Sequence, residues 1–117
     1  MIKSYKELEI YKRSYKLALQ IHEVTKSFPE TEKYDLVSQI RRCSKSVPTN
    51  IAEGFGRQSK EEFKRFLKIS LGSCCELQVH LDFCKDLKYI TNESYKKIYT
   101  ENDEIGKMIN SSIKKWK

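Results

Sequence analysis

Glycine and proline are scarce in this sequence, and long uncharged runs are missing. Its 117 residues include 4 glycines and 2 prolines, which argues against a turn-rich β fold. No stretch longer than seven residues lacks Asp, Glu, Lys and Arg, so no segment suits a membrane span. The opening MIKSYKELEIYKR has no apolar core of a signal peptide, and we therefore expect a cytoplasmic protein.

The familiar signatures of catalytic and metal sites are also missing. There is no glycine-rich phosphate loop, no nucleophile elbow, and no H-x-x-x-H or E-x-x-H pair. The cysteines lack C-x-x-C spacing, so we predict that they pack as small apolar side chains. They are Cys43, Cys74, Cys75 and Cys84. His22 and His80 each lie alone near an apolar stripe, which favours core or interface roles. We predict no enzyme, no metal and no cofactor.

Positive charge is in excess. Lys and Arg number 23 against 16 acidic residues, giving a formal net charge of +7. Such a charge favours a polyanionic partner such as RNA, DNA or an acidic protein surface. A lysine-rich surface is also an ordinary route to solubility, so charge alone leaves both interpretations open.

Apolar residues recur at alternating steps of three and four along four segments. We predict helices over residues 4–27, from Thr31 to the Gly54/Gly56 pair, over residues 59–87, and from Thr91 or Asn92 to nearly Lys117. The stripe of the last helix runs from Tyr95 to Trp116. Ser59 and Glu62 read as a capping box, and Phe28-Pro29 closes the first helix.

Short breaks between the helices make neighbours antiparallel, and a spacing near 3.5 favours aligned packing. The fold class is therefore all-α, an up-down-up-down antiparallel four-helix bundle. We expect the chain to form a single domain over residues 1–117, elongated because each helix is long.

Proline at position 48 lies inside the second predicted helix. The stripe Val37, Ile40, Ser44, Val47 and Ile51 passes across it without a change of phase, so we predict one helix kinked at Pro48 rather than a loop. The helix should end at Gly54 or Gly56, one of them serving as a left-handed cap.

The first helix has an unusually wide apolar face. One seam runs from Leu8 through Tyr11 and Tyr15 to Thr25, and a second runs beside it from Ile10 to Phe28. A helix packed on a single core needs a narrower stripe. We predict that the surplus surface contacts another copy of the chain, although a deeply inserted helix in a monomer would explain it too.

The run SVPTNIAEGFGR, the preceding LVSQIRR and the segment from Phe63 to Ser73 carry a family resemblance. The sequence resembles the four-helix-bundle proteins encoded in intervening sequences of bacterial large-subunit ribosomal RNA genes. That family includes the accessory variability determinant proteins of diversity-generating retroelements. The resemblance implies the same bundle and a barrel-like homopentamer. It also implies that the chain, like the retroelement members, is a basic protein that binds nucleic acid and a reverse transcriptase.

Eight basic residues are the candidate nucleic-acid contacts. They are Arg41, Arg42, Lys45, Arg57, Lys60, Lys64, Arg65 and Lys68. The basic residues that lie one turn apart form stripes on the second and third helices, and such stripes suit phosphate contacts without base readout. The alternative for these basic residues is a solvated surface whose charge is balanced by acidic neighbours. The alternative function is a protein-interaction scaffold without nucleic-acid contact.

We interpret the segment PTNIAEG as a structural element of the second helix. Ser44, Pro48, Asn50 and Glu53 should form a polar network at the kink, where proline leaves a backbone carbonyl without its amide partner. Arg41 or Arg42, one turn earlier, suits such a carboxylate. Small residues from Ser70 to Cys74 on the facing helix should allow close approach.

Overall fold

Four long α-helices form most of the computed structural model, which describes residues 1–115. They are α1 (Glu9–Val24), α2 (Leu36–Gly56), α3 (Lys60–Asp86) and α4 (Asn92–Lys115). Single 3₁₀ turns occur at Tyr5–Glu7, Thr25–Ser27 and Glu30–Glu32. Every regular element of the described chain is helical, which confirms the all-α class.

Each helix contacts its two neighbours around the bundle, and neighbours run in opposite directions. Ser46 and Val47 of α2 hydrogen-bond with Ser73 and Ser70 of α3, so the numbering rises on one helix as it falls on the other. The molecule measures 44 × 23 × 20 Å. The elongated antiparallel bundle is therefore as predicted.

The predicted stripes meet in one hydrophobic cluster to which all four helices contribute. The most completely buried side chains are Ile21, Ile40, Ile51, Leu67, Leu77, Leu81, Ile105 and Ile109. Of the two seams on α1, the one containing Leu17 and Ile21 lies in this core. Trp116, the last member of the α4 stripe, lies outside the described residues. No helix among residues 1–115 is long and apolar enough to cross a membrane.

The first two helices begin later than predicted. Ser4 and Glu7 form a reciprocal capping box on the first 3₁₀ turn, but Leu8 is extended at ψ 128°, so α1 begins at Glu9. After Pro29, bonds of the i to i+3 type hold the chain in a tight turn up to Asp35. The backbone leaves helical geometry at Asp35, and α2 therefore begins at Leu36 instead of Thr31.

The second helix continues across Pro48, which confirms one helix and excludes a loop. The predicted left-handed glycine cap is wrong, because both Gly54 and Gly56 lie inside α2 with negative φ. Gln58 adopts the left-handed conformation instead, at φ 56°. The glycine at position 54 serves close packing, because a Cβ there would lie 2.7 Å from Cβ of Phe66.

The caps of the last two helices match their sequence signals in part. Oγ of Ser59 accepts from the Glu62 amide at 3.3 Å, but the Glu62 carboxylate accepts from Arg65 rather than reaching back. Thr91 caps α4 by accepting from the Ser94 amide at 3.1 Å. Side-chain caps of this kind satisfy amides that have no partner within the helix.

Candidate nucleic-acid interface

The eight predicted basic residues lie in two places. Arg41, Arg42 and Lys45 lie in the first half of α2. The other five lie at the turn into α3 and along its first turns; they are Arg57, Lys60, Lys64, Arg65 and Lys68. The structure therefore places the set on the α2–α3 hairpin.

Arg41 is held by α1 rather than by a carboxylate near the proline. Its Nε donates to Oγ1 of Thr25 at 2.8 Å, and its Nη2 donates to the His22 carbonyl at 3.1 Å. The side chain is half-buried. Because it satisfies polar groups at the C-terminal end of α1, its main role is to join the two helices.

Arg57 and Arg65 enclose the ring of Phe66 and share acidic neighbours. Their guanidinium carbons lie 5.1 and 4.7 Å from the ring centroid. Arg57 pairs with Glu53 at 3.0 Å, and Arg65 donates two hydrogen bonds to Glu62. These bonds from Arg65 lower the pKa of Glu62, so the carboxylate stays charged and offsets the local positive charge.

Four of the eight cations lack such compensation. Within residues 1–115, Arg42, Lys45, Lys64 and Lys68 form no ion pair with a carboxylate. Lys64 and Lys68 are one turn apart on the same face of α3. Lys64 is half-buried, while the other three are exposed. They are the side chains best able to contact phosphate.

A groove of about 510 Å³ lies between α1 and α2, and Lys45 is the one of these four cations that lines it. Tyr11 and Tyr15 stack along one wall with centroids 5.7 Å apart, while Arg41 and Lys45 line the other wall. Aromatic faces and cations together suit an unpaired base and its phosphate. The apolar seam of α1 is predictable from the sequence but this groove is not, since its only signal there is the i, i+4 tyrosine pair.

The outer face of α1 is partly exposed in the single chain. Tyr15, a member of the predicted seam, is 50% exposed, and Leu19, one turn further along the helix, is 57% exposed. His22 is also exposed, so its predicted core role is wrong, whereas an interface role stays a prediction.

The polar network predicted near Pro48 includes Asn50 as expected, but its other members are different. Asn50 donates to both the carbonyl and Oγ of Ser46, and Ser73 donates to that same Oγ. Oγ of Ser44 instead donates to the Arg41 carbonyl at 3.1 Å.

Glu53 does not join the network either, because its carboxylate pairs with Arg57 at the surface. Pro48 itself is buried. Ser70 and Ser73 face α2 as predicted, since they hydrogen-bond to Val47 and Ser46. The prediction is wrong for Gly72, which is exposed and would place a Cβ against nothing within 4 Å.

The four cysteines and His80 are not all buried to the same extent. Cys43, Cys74 and Cys84 are buried, and desolvation raises the pKa of each thiol to about 12. The prediction of buried packing is wrong for Cys75, which is exposed. His80 is buried as predicted, with Nε2 3.2 Å from a carboxylate oxygen of Glu76.

Comparison with known proteins agrees with the bundle and identifies the family. The family model described as 23S rRNA-intervening sequence protein matches residues 6–111. A crystal structure of a protein of unknown function from the S23 ribosomal protein family of Bacteroides thetaiotaomicron is 30% identical, with a TM-score of 0.83. The match covers 90% of this chain and 95% of that one. No curated protein gives a significant match. The chain belongs to the family of 23S rRNA-intervening sequence proteins.

Proposed function

We propose that this chain is a non-enzymatic, homo-oligomeric accessory protein of the cytoplasm that binds nucleic acid through phosphate contacts. The observation that carries the proposal is the set of four uncompensated cations on the α2–α3 hairpin. They are Arg42, Lys45, Lys64 and Lys68. The family description refers to 23S rRNA, so RNA is the first polyanion to test.

Recognition of this kind reads charge and shape more than sequence. Lysine and arginine contacts to phosphate displace counterions, so affinity falls steeply as salt rises. The tyrosine-lined groove belongs to the α1 face that assembly would cover, so the phosphate contacts alone carry the binding. We therefore expect RNA to bind with little sequence preference.

Assembly would strengthen a modest patch. The resemblance to the retroelement members implies a homopentamer, and the exposed α1 residues Tyr15 and Leu19 supply an apolar contact surface for it. Repetition around a ring would place several copies of the four cations on one face of the assembly. A reverse transcriptase is a further partner that the resemblance suggests.

The test is filter binding of RNA and duplex DNA across a salt series. Replacing the four cations by glutamine should weaken binding at every salt concentration. It should also reduce the slope of log K against log salt by about 3, since each phosphate contact contributes about 0.7 to 0.9. A control variant carries the same charge change on α4, at Lys96, Lys97, Lys114 and Lys115, and should keep most of the slope.

Adjacent arginines provide an internal check on the same assay. Arg41→Gln should lower the melting temperature, because it removes the bonds to Thr25 and the His22 carbonyl. Arg42→Gln should lower RNA affinity with little change in melting temperature. Undetectable RNA and DNA binding by the wild type at low salt would overturn the proposal.

A second candidate is a protein-interaction scaffold without nucleic-acid contact. It is favoured by exposed apolar side chains along the outer face of α3; they are Ile69, Val79, Phe83 and Leu87. Partners that remain bound after nuclease treatment, and that also bind the four-glutamine variant, would support it.

A further inference from the structure

Three side chains with metal-binding atoms meet between α2 and α3. Sγ of Cys43, a ring nitrogen of His80 and a carboxylate oxygen of Glu76 all lie within 4.8 Å of one another. Cys43 and His80 are buried, whereas Glu76 is exposed and opens the cluster to solvent. Among the described residues, no other three such side chains lie so close together.

The helix register explains why these residues meet. Oγ of Ser73 donates to Oγ of Ser46 at 2.9 Å, which fixes these two positions opposite each other. Because α2 and α3 run antiparallel, Cys43, three residues before Ser46, lies opposite Glu76, three residues after Ser73. His80 follows Glu76 by one further turn on the same face of α3.

We propose that Cys43, Glu76 and His80 form a binding site for zinc or a closely similar divalent transition-metal ion. Thiolate, imidazole and carboxylate are the zinc ligands of proteins, and three of them leave one position open. The proposal goes beyond nucleic-acid binding and does not depend on it.

Metal binding would need the three ligand atoms to move only slightly closer together. In a tetrahedral zinc site the ligand atoms lie about 3.4 to 3.6 Å apart, given metal–ligand distances of about 2.0 to 2.3 Å. Nε2 of His80 is 3.2 Å from Oε2 of Glu76, close to that spacing. Bringing Sγ of Cys43 to the same spacing requires an approach of up to about 1.2 to 1.4 Å, which small rotations of the Cys43, Glu76 and His80 side chains supply together.

A small cavity adjoins His80 at one side of the cluster. It measures about 280 Å³, and its lining combines the polar Glu32, Asp35 and Gln39 with the apolar Leu36, Phe83 and Leu87, but it does not include Cys43 or Glu76. Because Glu76 is exposed, water from the solvent side could complete the coordination.

Metal binding must compete with the arrangement of the metal-free protein. Sγ of Cys43 now donates to the Ile40 carbonyl at 3.5 Å, and burial raises the pKa of this thiol. The metal therefore displaces a proton from sulfur, as it does in other zinc–thiolate sites.

Cobalt(II) titration of the full chain, first stripped with a chelator, tests the site. Cobalt should bind at one equivalent per chain, with a thiolate charge-transfer band in the near ultraviolet and tetrahedral ligand-field bands in the visible. Zinc should displace it. Cys43→Ser should abolish the charge-transfer band, and His80→Gln and Glu76→Gln should each weaken binding at least about tenfold.

Matched controls separate the site from adventitious binding and from misfolding. Cys75→Ser removes an exposed thiol of α3 and should leave the cobalt spectrum unchanged. Circular dichroism should show that every variant is helical. Zinc should raise the melting temperature of the wild type but not that of Glu76→Gln. Because Glu76 is exposed, this substitution should not disturb the core. A charge-transfer band that persists in Cys43→Ser, or no cobalt binding by the wild type, would overturn the proposal.

Discussion

At the scale of single residues, the absence of a side chain at position 54 sets the distance between α2 and α3. A Cβ there would lie 2.7 Å from Cβ of Phe66 and 3.2 Å from a ring carbon of Phe63. These are rigid aromatic residues of the facing helix, so the clash cannot be relieved by a flexible side-chain end. At position 56 a Cβ would meet nothing within 4 Å. Two glycines only two positions apart therefore have different roles.

This difference gives the first stability prediction. Gly54→Ala should lower the free energy of unfolding by about 1 to 3 kcal/mol, because overpacking outweighs the better helix propensity of alanine. Gly56→Ala should raise it by about 0.5 to 1 kcal/mol, since it only reduces the freedom of the unfolded chain. Urea denaturation measures both, and equal effects of the two variants would contradict the packing argument.

At the scale of the helices, an ion pair joins α1 to α4 across the two ends of the sequence. Nε of Arg13 donates to Glu101 at 2.9 Å, and its Nη2 also contacts Glu104 at 3.2 Å. Both side chains of the Arg13–Glu101 pair are 30% exposed. The hydrogen bond from Arg13 lowers the pKa of Glu101 below its usual value.

The pKa shift of Glu101 predicts an acid-dependent loss of stability. A carboxyl whose pKa is lowered by folding stabilises the protein above its unfolded pKa, about 4.3, and that contribution disappears as pH falls through the folded value. Glu101→Gln should cost about 1 kcal/mol at pH 7 and flatten the fall in stability at acid pH.

Urea denaturation at a series of pH values measures this effect. Glu104→Gln is the control, because that side chain is 56% exposed and should change the profile little. If stability falls at acid pH by the same amount in the wild type and in Glu101→Gln, the ion pair does not stabilise the bundle.

At the scale of the whole molecule, two exposed apolar faces compete as contact surfaces. One is on α1, where Leu19 is 57% exposed, and the other is on α3, where Val79 is 53% exposed. The α1 face continues into the tyrosine-lined groove, so it offers a concave apolar surface that a side chain of a second copy can fill.

The oligomer proposal therefore makes an asymmetric prediction. Light scattering of the wild type should give a multiple of the 13.9 kDa chain mass, five copies if the resemblance holds. Leu19→Glu should reduce it to one copy, whereas Val79→Glu should leave it unchanged. A monomeric wild type would contradict assembly, and dissociation by Val79→Glu alone would place the interface on α3.

Local pattern predicted the elements better than their ends. The stripe through Pro48 predicted a continuous α2, since one missing hydrogen bond does not remove the packing of the face around it. The sequence predicts too early a start for α2, because the residues after Pro29 resemble a helix in composition but form only i to i+3 hydrogen bonds. Glycine is the commonest residue at a left-handed cap, whereas the chain places Gln58 in that conformation.

The sequence by itself determined the four helices, their apolar faces and their antiparallel order, because hydrophobic periodicity and short connections act locally. It also showed which residues are basic, but not which of them carry a compensating acid. Only the tertiary structure decided that Arg41 joins α1 to α2 and that Cys43 meets Glu76 and His80. Both depend on how far one helix is shifted along its neighbour, and that shift is fixed by side chains packing across the interface rather than by either helix alone.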